Sequence, residues 1–149
     1  MKKSVITIFE RDIQRLHNEV EAFPTDELLW ELRPGISNCS GNLALHLCGN
    51  LNHFIGATLG DTGYVRDRES EFTTKNISKA ALLERIAEVR QTVNSTLERM
   101  TEDEFNENYP LEPLGYPMTV GYFLVHLTGH LNYHLGQINY HRRLLSPAN

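Results

Sequence analysis

His126, His130 and His134 follow one another at intervals of four, and His46 and His53 lie seven apart. On an α-helix both intervals put side chains on one face. Neutral imidazole is a common ligand for Zn, Ni, Cu and Fe. Two histidines four apart sit about one turn from each other, close enough to share an ion. His130 and His134 form such a pair. A third ligand must come from another helix, and His46 is the natural candidate. His53 is an alternative third ligand, and His126 makes a second four-spaced pair with His130. Three protein ligands leave a coordination position for water or substrate, which is the arrangement of a catalytic rather than a closed structural centre.

The neighbours of these histidines point the same way. Leu43, His46, Asn50, His53 and Ala57 repeat in a three-four-three-four pattern, the seam of a helix facing a bundle core. Phe123, His126, His130, His134 and Gln137 form a polar line on a second helix. A polar group in a core costs free energy unless it is paired, and ligation of a metal would supply the pairing. Asn50 and His53, one and two turns along the face of His46, are candidates to orient substrate or water. His17 sits on a charged helix and reads as a surface residue. His141, near a helix end, reads as solvent-facing or as a partner of the helix dipole. Gly129 and Gly136 allow close approach of a neighbour or ligand, or record packing alone.

Carboxylates are missing from both histidine-bearing segments. Di-iron bundles combine Glu with Glu-x-x-His motifs, and neither segment contains an acid. The HExxH pattern of zinc proteases also fails, because Leu131 follows His130. No carboxylate base is expected beside the ion, so the ion itself must activate the nucleophile, a bound water or thiol. Cys48 is two residues from His46 and points away from it on a helix, so it reads as packing. Cys39 and Cys48 are too few for a disulfide framework and lack metal-pair spacing.

The elements that must carry these residues are helical. Phe9, Ile13, Leu16, Val20 and Phe23 mark a first helix, ended at Pro24 and followed by a short turn through Trp30. Ser40 can cap a second helix over Gly41–Leu59, ended by Gly60-Asp61-Thr62-Gly63. Residues 61–77 read as a long polar connection. Ser78 caps a third helix whose apolar side is Leu82, Ile86, Val89, Val93 and Leu97. Thr101 through Glu104 form a capping box for one more short turn. After a Pro- and Gly-rich loop, Thr119 caps a fourth helix to about Leu145, stopped by Ser146-Pro147. No alternating strand run is present. The expected architecture is all-α, a four-helix bundle with two long crossover connections, in one domain over residues 1–149.

Charge separates the segments. No Asp, Glu, Lys or Arg occurs between Pro34 and Gly60, or between Pro113 and His141. Gly, Asn, His, Ser and Thr interrupt both stretches, so neither reads as a membrane span; both read as segments buried in a protein. The net charge of -5 gives no electrostatic reason to bind nucleic acid or an acidic membrane. The N-terminus lacks the apolar run of a signal peptide, so the expected location is the cytoplasm.

The run His130-Leu131-Asn132-Tyr133-His134-Leu135-Gly136-Gln137 resembles the HxxxHxGQ signature in the last helix of DinB-like (DinB/YfiT-like) proteins. Trp30 through Pro34, Ser40 and Leu45-His46-Leu47 resemble the region of that family's second helix with its single ligand histidine. The likeness runs through nearly the whole chain in element order. It implies a metal-binding four-helix bundle with His46, His130 and His134 as ligands, in preference to His53 and His126. It further implies one divalent ion, Zn or alternatively Ni, and a homodimer. Relatives include thiol S-transferases that use bacillithiol, a maleylpyruvate isomerase that uses mycothiol, and proteins labelled metal-dependent hydrolases. The leading expectation is therefore a thiol S-transferase in which the ion activates a small thiol for attack on an electrophilic substrate. A metal-dependent hydrolase and a non-catalytic metal-binding bundle are the alternatives. The segment from Arg66 to Glu69, with Glu71 and Phe72, resembles a loop of some branches and receives no role.

Overall fold

The computed structural model describes residues 1–146. Four long helices make the bundle: α1 (Lys2–Glu21), α2 (Ser40–Leu51), α3 (Lys79–Arg99) and α4 (Val120–Leu145). Short helical turns at Glu27–Trp30 and Asp103–Asn106 lie in the first and third connections. Among the described residues there is no strand, only a single antiparallel bridge between Asn108 and Thr119. Pro147, half of the expected stop of α4, lies outside the described residues; Ser146 caps the helix.

The apolar stripes settle which faces turn inward. Val5, Phe9, Ile13, Leu16 and Val20 are buried on α1, and Leu82, Ile86, Val89, Val93 and Leu97 on α3. α1 packs between α3 and α4, and α2 packs between the same two helices. Consecutive helices α1 and α2 therefore stand on a diagonal, as do α3 and α4. The connections 22–39 and 101–119 cross opposite ends of the bundle: Lys79 reaches the Phe23 carbonyl at one end and Lys2 the Met100 carbonyl at the other. No described helix is long and apolar enough to cross a membrane.

Local chemistry places the helix ends. The Ser78 hydroxyl accepts a hydrogen bond from the Ala81 amide at 3.1 Å, and the Thr119 hydroxyl one from the Tyr122 amide at 3.2 Å. The Thr101–Glu104 capping box is reciprocal: the Glu104 amide donates to Thr101 Oγ1, and the Thr101 amide donates to the Glu104 carboxylate. The start of α2 differs from expectation. Cys39 is the cap residue, and Ser40 opens the helix with its hydroxyl turned 3.3 Å from His141 Nδ1. A buried imidazole on α4 thus takes the hydroxyl that the helix end would have used.

Two further departures shape the site. The expected helix over 41–59 continues past Leu51, but as a π-helical segment, Asn52–Ala57, and a last turn, Thr58–Gly60. Its widened turns leave the Phe54 carbonyl open to the Tyr109 hydroxyl at 2.7 Å. Asp61 then ends it in the left-handed conformation. The polar connection of residues 61–77 contains a helix of its own, Arg68–Thr73, capped by Asp67, whose carboxylate accepts from the Ser70 amide at 3.1 Å. This strap packs against α2.

Candidate metal centre

Every residue of α2 from Ser40 to Leu51 is buried. It is the central helix of the site, and its polar side chains need partners inside the protein. Asn42 donates to the backbone carbonyls of Glu71 and Thr74 in the strap, at 2.9 and 2.8 Å. One turn on, His46 is 6% exposed. It faces His130 and His134 of α4, which are half-buried.

The three imidazoles meet. One nitrogen from each of His46, His130 and His134 lies within 4.8 Å of the other two. The rings stand nearly perpendicular in pairs, with centroids 5.1, 5.1 and 4.7 Å apart. His46 Nε2 and His130 Nε2 are 3.2 Å apart. Tetrahedral Zn with Zn–N bonds of 2.0–2.1 Å requires about 3.3 Å between ligand nitrogens, so His46 and His130 are spaced as a pair of ligands to one ion. The donor set, three imidazoles and no charge of its own, fits Zn or another borderline divalent metal.

The electrostatics keep the two rings of α4 ready to ligate. Burial, with smaller contributions from the neighbouring imidazoles and Arg66, pushes His130 down to about 4. It is therefore neutral, the form that binds metal, over the physiological range. Burial also lowers His134, partly offset by its hydrogen bond to Gln137. That bond, from Nδ1 to Oε1 at 2.7 Å, leaves Nε2 of His134 for the site.

The chain has an acid at the site that the charge-free helices did not announce. Glu71 of the strap is 5% exposed, and its Oε1 lies 3.0 Å from His46 Nδ1. The expectation of no carboxylate near the ion is corrected in this respect, although Glu71 stands behind His46 rather than beside the three converging nitrogens. Burial by itself would raise the Glu71 pKa; hydrogen bonds from His46 and Arg66 and the Arg66 charge outweigh burial and hold it below the ordinary value. Arg66 grips it through both oxygens, each at 2.9 Å, and lies 5.7 Å above the ring of Phe54. Phe72, also of the strap, packs its ring 5.0 Å from that of His46. Sequence patterns missed Glu71 and Arg66 because no periodicity ties a connection to a helix 20 or more residues away. The one local signal was the cap sequence Asp67-Arg68-Glu69-Ser70, which marks a helix start without saying what it docks on.

The remaining candidates separate. His126 is exposed and stacks on Phe123 at 5.7 Å, outside the cluster. His53 lies on the π-helical segment against Phe54, and also stays outside it. Asn50 is buried with Oδ1 unpartnered. His141 is buried rather than solvent-facing, because the chain entering α2 covers it and Ser40 contacts it. His17 is half-buried on α1, not fully at the surface. Burial raises the Cys48 thiol to about 12, consistent with a packing role. A β-carbon at Gly129 or Gly136 would meet nothing within 4 Å among the described residues, so none of them makes a close approach there.

A groove of about 790 Å³ borders the site. His134, Gln137, Tyr133 and Tyr140 of α4 line one wall, and the loop Gly35–Asn38 with Leu43 lines the other. Its size is that of a small-molecule pocket.

The sequence matches the DinB superfamily over residues 8–138, and the chain belongs to that superfamily. No match was found among curated proteins. Among solved structures it is similar to a conserved protein of Enterococcus faecalis (TM-score 0.76, 16% identity, covering 97% of this chain and 96% of the other). It is also similar to a DinB-like protein of Bacillus cereus (TM-score 0.70, 19% identity, 93% and 90%). A third similar structure is YfiT of Bacillus subtilis, described as a probable metal-dependent hydrolase with an unusual four-helix bundle topology (TM-score 0.71, 18% identity, 97% and 87%). At these identities the likeness establishes the fold, a four-helix bundle.

Proposed function

We propose that this member of the DinB superfamily holds one divalent ion, Zn(II) or alternatively Ni(II), on His46, His130 and His134, and that it is a thiol S-transferase. The observation that carries the reading is the convergence of three imidazoles from two helices with a groove along one side. When bound, such an ion lowers the pKa of a coordinated thiol and stabilises its thiolate. His130 stays neutral through burial, and Gln137 orients His134. Asn50 and His53 orient substrate or water in this reading; the unpartnered Oδ1 of Asn50 is free to accept a hydrogen bond. The groove beside His134 is roomy enough for a small thiol and its electrophilic partner.

A thiol is favoured over water because of what the groove lacks. Among the described residues its lining contains no carboxylate. The single acid in contact with the cluster among the described residues, Glu71, bonds His46 through Nδ1, away from the nitrogen facing His130, and is tied to Arg66, so it is not available as a base towards the groove. With no such base the ion alone must ionise the nucleophile, and a thiol, with an ordinary pKa of about 8.5 against about 15.7 for water, needs the smaller shift. Hydrolysis is the second reading, favoured by the structural likeness to YfiT. One domain per chain, assembly as a homodimer and a cytoplasmic location complete the proposal.

The test uses protein purified without an affinity tag and loaded with Zn(II). Conjugation of a small thiol to a model electrophile should run faster than with the variant carrying His46→Ala, His130→Ala and His134→Ala. Equal rates overturn the transferase reading. Turnover of an ester or amide without added thiol would select hydrolysis. Elemental analysis of the untagged protein before any metal is added reads the ion directly, and light scattering reads the dimer.

A further inference from the structure

We propose that Glu71 is a positioning residue for His46, and that through this contact the ion and the strap Arg66–Thr74 stabilise each other. The proposal rests on the reading of the three imidazoles as an ion site. A carboxylate only accepts hydrogen bonds. At 3.0 Å from Glu71 Oε1, His46 Nδ1 must therefore carry the hydrogen. In the neutral ring this leaves Nε2 bare, and Nε2 is the atom 3.2 Å from His130 Nε2. The contact thus selects the tautomer that can ligate and fixes the plane of the ring.

The packing around Glu71 is built for that contact. Burying a carboxylate costs free energy unless charge and hydrogen bonds compensate. Arg66 supplies both, gripping the two oxygens at 2.9 Å each. On the other side, α2 has a glycine where the carboxylate passes. A β-carbon on Gly49 would fall 2.0 Å from Glu71 Oε2, so any larger residue would push the acid off His46. Asn42 holds the strap backbone at Glu71 and Thr74. Arg66 and Glu71 are thus the polar link between the strap and a ring at the centre of the bundle, beside the apolar contact of Phe72.

Coupling follows from reciprocity. An ion on Nε2 draws electron density from the ring and makes Nδ1–H a stronger donor to Glu71. Whatever the strap adds to ion affinity, the ion must return as stability of the docked strap. A plain structural ion pair would hold the strap equally well with or without an ion.

Three measurements on the full chain test this. Nitrogen-15 NMR of the metal-free protein should show His46 with its hydrogen on Nδ1, and Glu71→Gln should weaken that preference. Zn(II) affinity, read by chelator competition, should fall about 10–100-fold in Glu71→Gln with the helical circular dichroism unchanged. Zn(II) should slow amide hydrogen exchange over residues 68–74 in the unmodified protein, and should do so less in the variant. Should Glu71→Gln fail to fold, Arg66→Gln releases one side of the carboxylate and should shift affinity and exchange in the same directions by a smaller factor. Unchanged Zn(II) affinity in the folded variant, or strap exchange indifferent to Zn(II), overturns the proposal. A native protein that takes up no Zn(II) overturns the ion site instead, and the His46 tautomer then still decides whether Glu71 positions the ring.

Discussion

Along α1 and α3 the buried side chains are aliphatic or aromatic with two exceptions, Asp12 and Thr96; along α2, buried throughout, Asn42, His46 and Asn50 sit in the same row as leucines. Both regions exclude water, but they do so by different physics. Apolar burial is non-directional and tolerates small shifts. A buried amide or imidazole needs a partner at a set distance and angle. On α2 those partners come from the strap: Glu71 for His46, and two backbone carbonyls for Asn42. The comparison teaches that the strap is part of the core of one half of the molecule, whereas α1 and α3 supply stability without directing any chemistry.

The sharpest way to break the comparison is to carve each half separately. Phe9→Ala on α1, at a fully buried site, should cost about 3–5 kcal/mol of stability while leaving ion stoichiometry per folded chain intact. Calorimetry and elemental analysis of the same sample check both parts. The converse substitution, His46→Ala, should abolish stoichiometric Zn(II) binding. With it should vanish the gain of about 2.7 kcal/mol that the unsubstituted protein shows when free ion stands at 100 times its dissociation constant. Thermal melts with and without chelator read that difference, and a gain surviving in His46→Ala would remove this ring from the site.

Smaller effects sharpen the contrast. Asn42→Leu keeps the branched outline of the side chain but strands the strap carbonyls of Glu71 and Thr74, and should cost about 1–3 kcal/mol in urea unfolding. A leucine at this position without cost would mean that the strap is not held through α2.

The one buried charge of the α1 face makes a pH prediction. Burial works to raise the Asp12 pKa, but hydrogen bonds from Arg11 and Asn132 and the charges of Arg11 and Arg15 prevail, so it lies below its ordinary 3.8. A carboxyl lowered by folding contributes stability that is present above about 3.8 and is lost as pH falls through the lower folded value. Acid unfolding of Asp12→Asn should lack that part of the pH dependence and match the parent protein's at lower pH more closely than at neutrality. At the small end, Gly129→Ala on the exposed face of α4, with nothing within 4 Å, should raise stability by about 0.5–1 kcal/mol through helix propensity. A loss in its place would indicate a second molecule packed on that face.

Much of the bundle is legible without coordinates because helix periodicity is local. The apolar rows of α1 and α3, the caps at Ser78 and Thr119, and the Thr101–Glu104 box all depend on residues three or four apart. The same locality makes His130 and His134 readable as a pair. Errors gathered where distant groups compete for a local one. Ser40 opens α2 rather than capping it because its hydroxyl faces His141, 101 residues away. His141 is buried for the same reason.

The amino-acid order by itself determined an all-helical bundle, two charge-free segments bearing histidines, and a helical face on which His130 and His134 must be neighbours, since each of these follows from the pitch of a single helix. What helix spacing left open the tertiary structure decided: His46 is the ring that meets them while His53 and His126 stand apart, and a buried Glu71 held by Arg66 backs it. The physical reason is that convergence across helices depends on how they cross and on what each buried polar atom finds opposite it, and neither is written in the spacing of residues along one strand of chain.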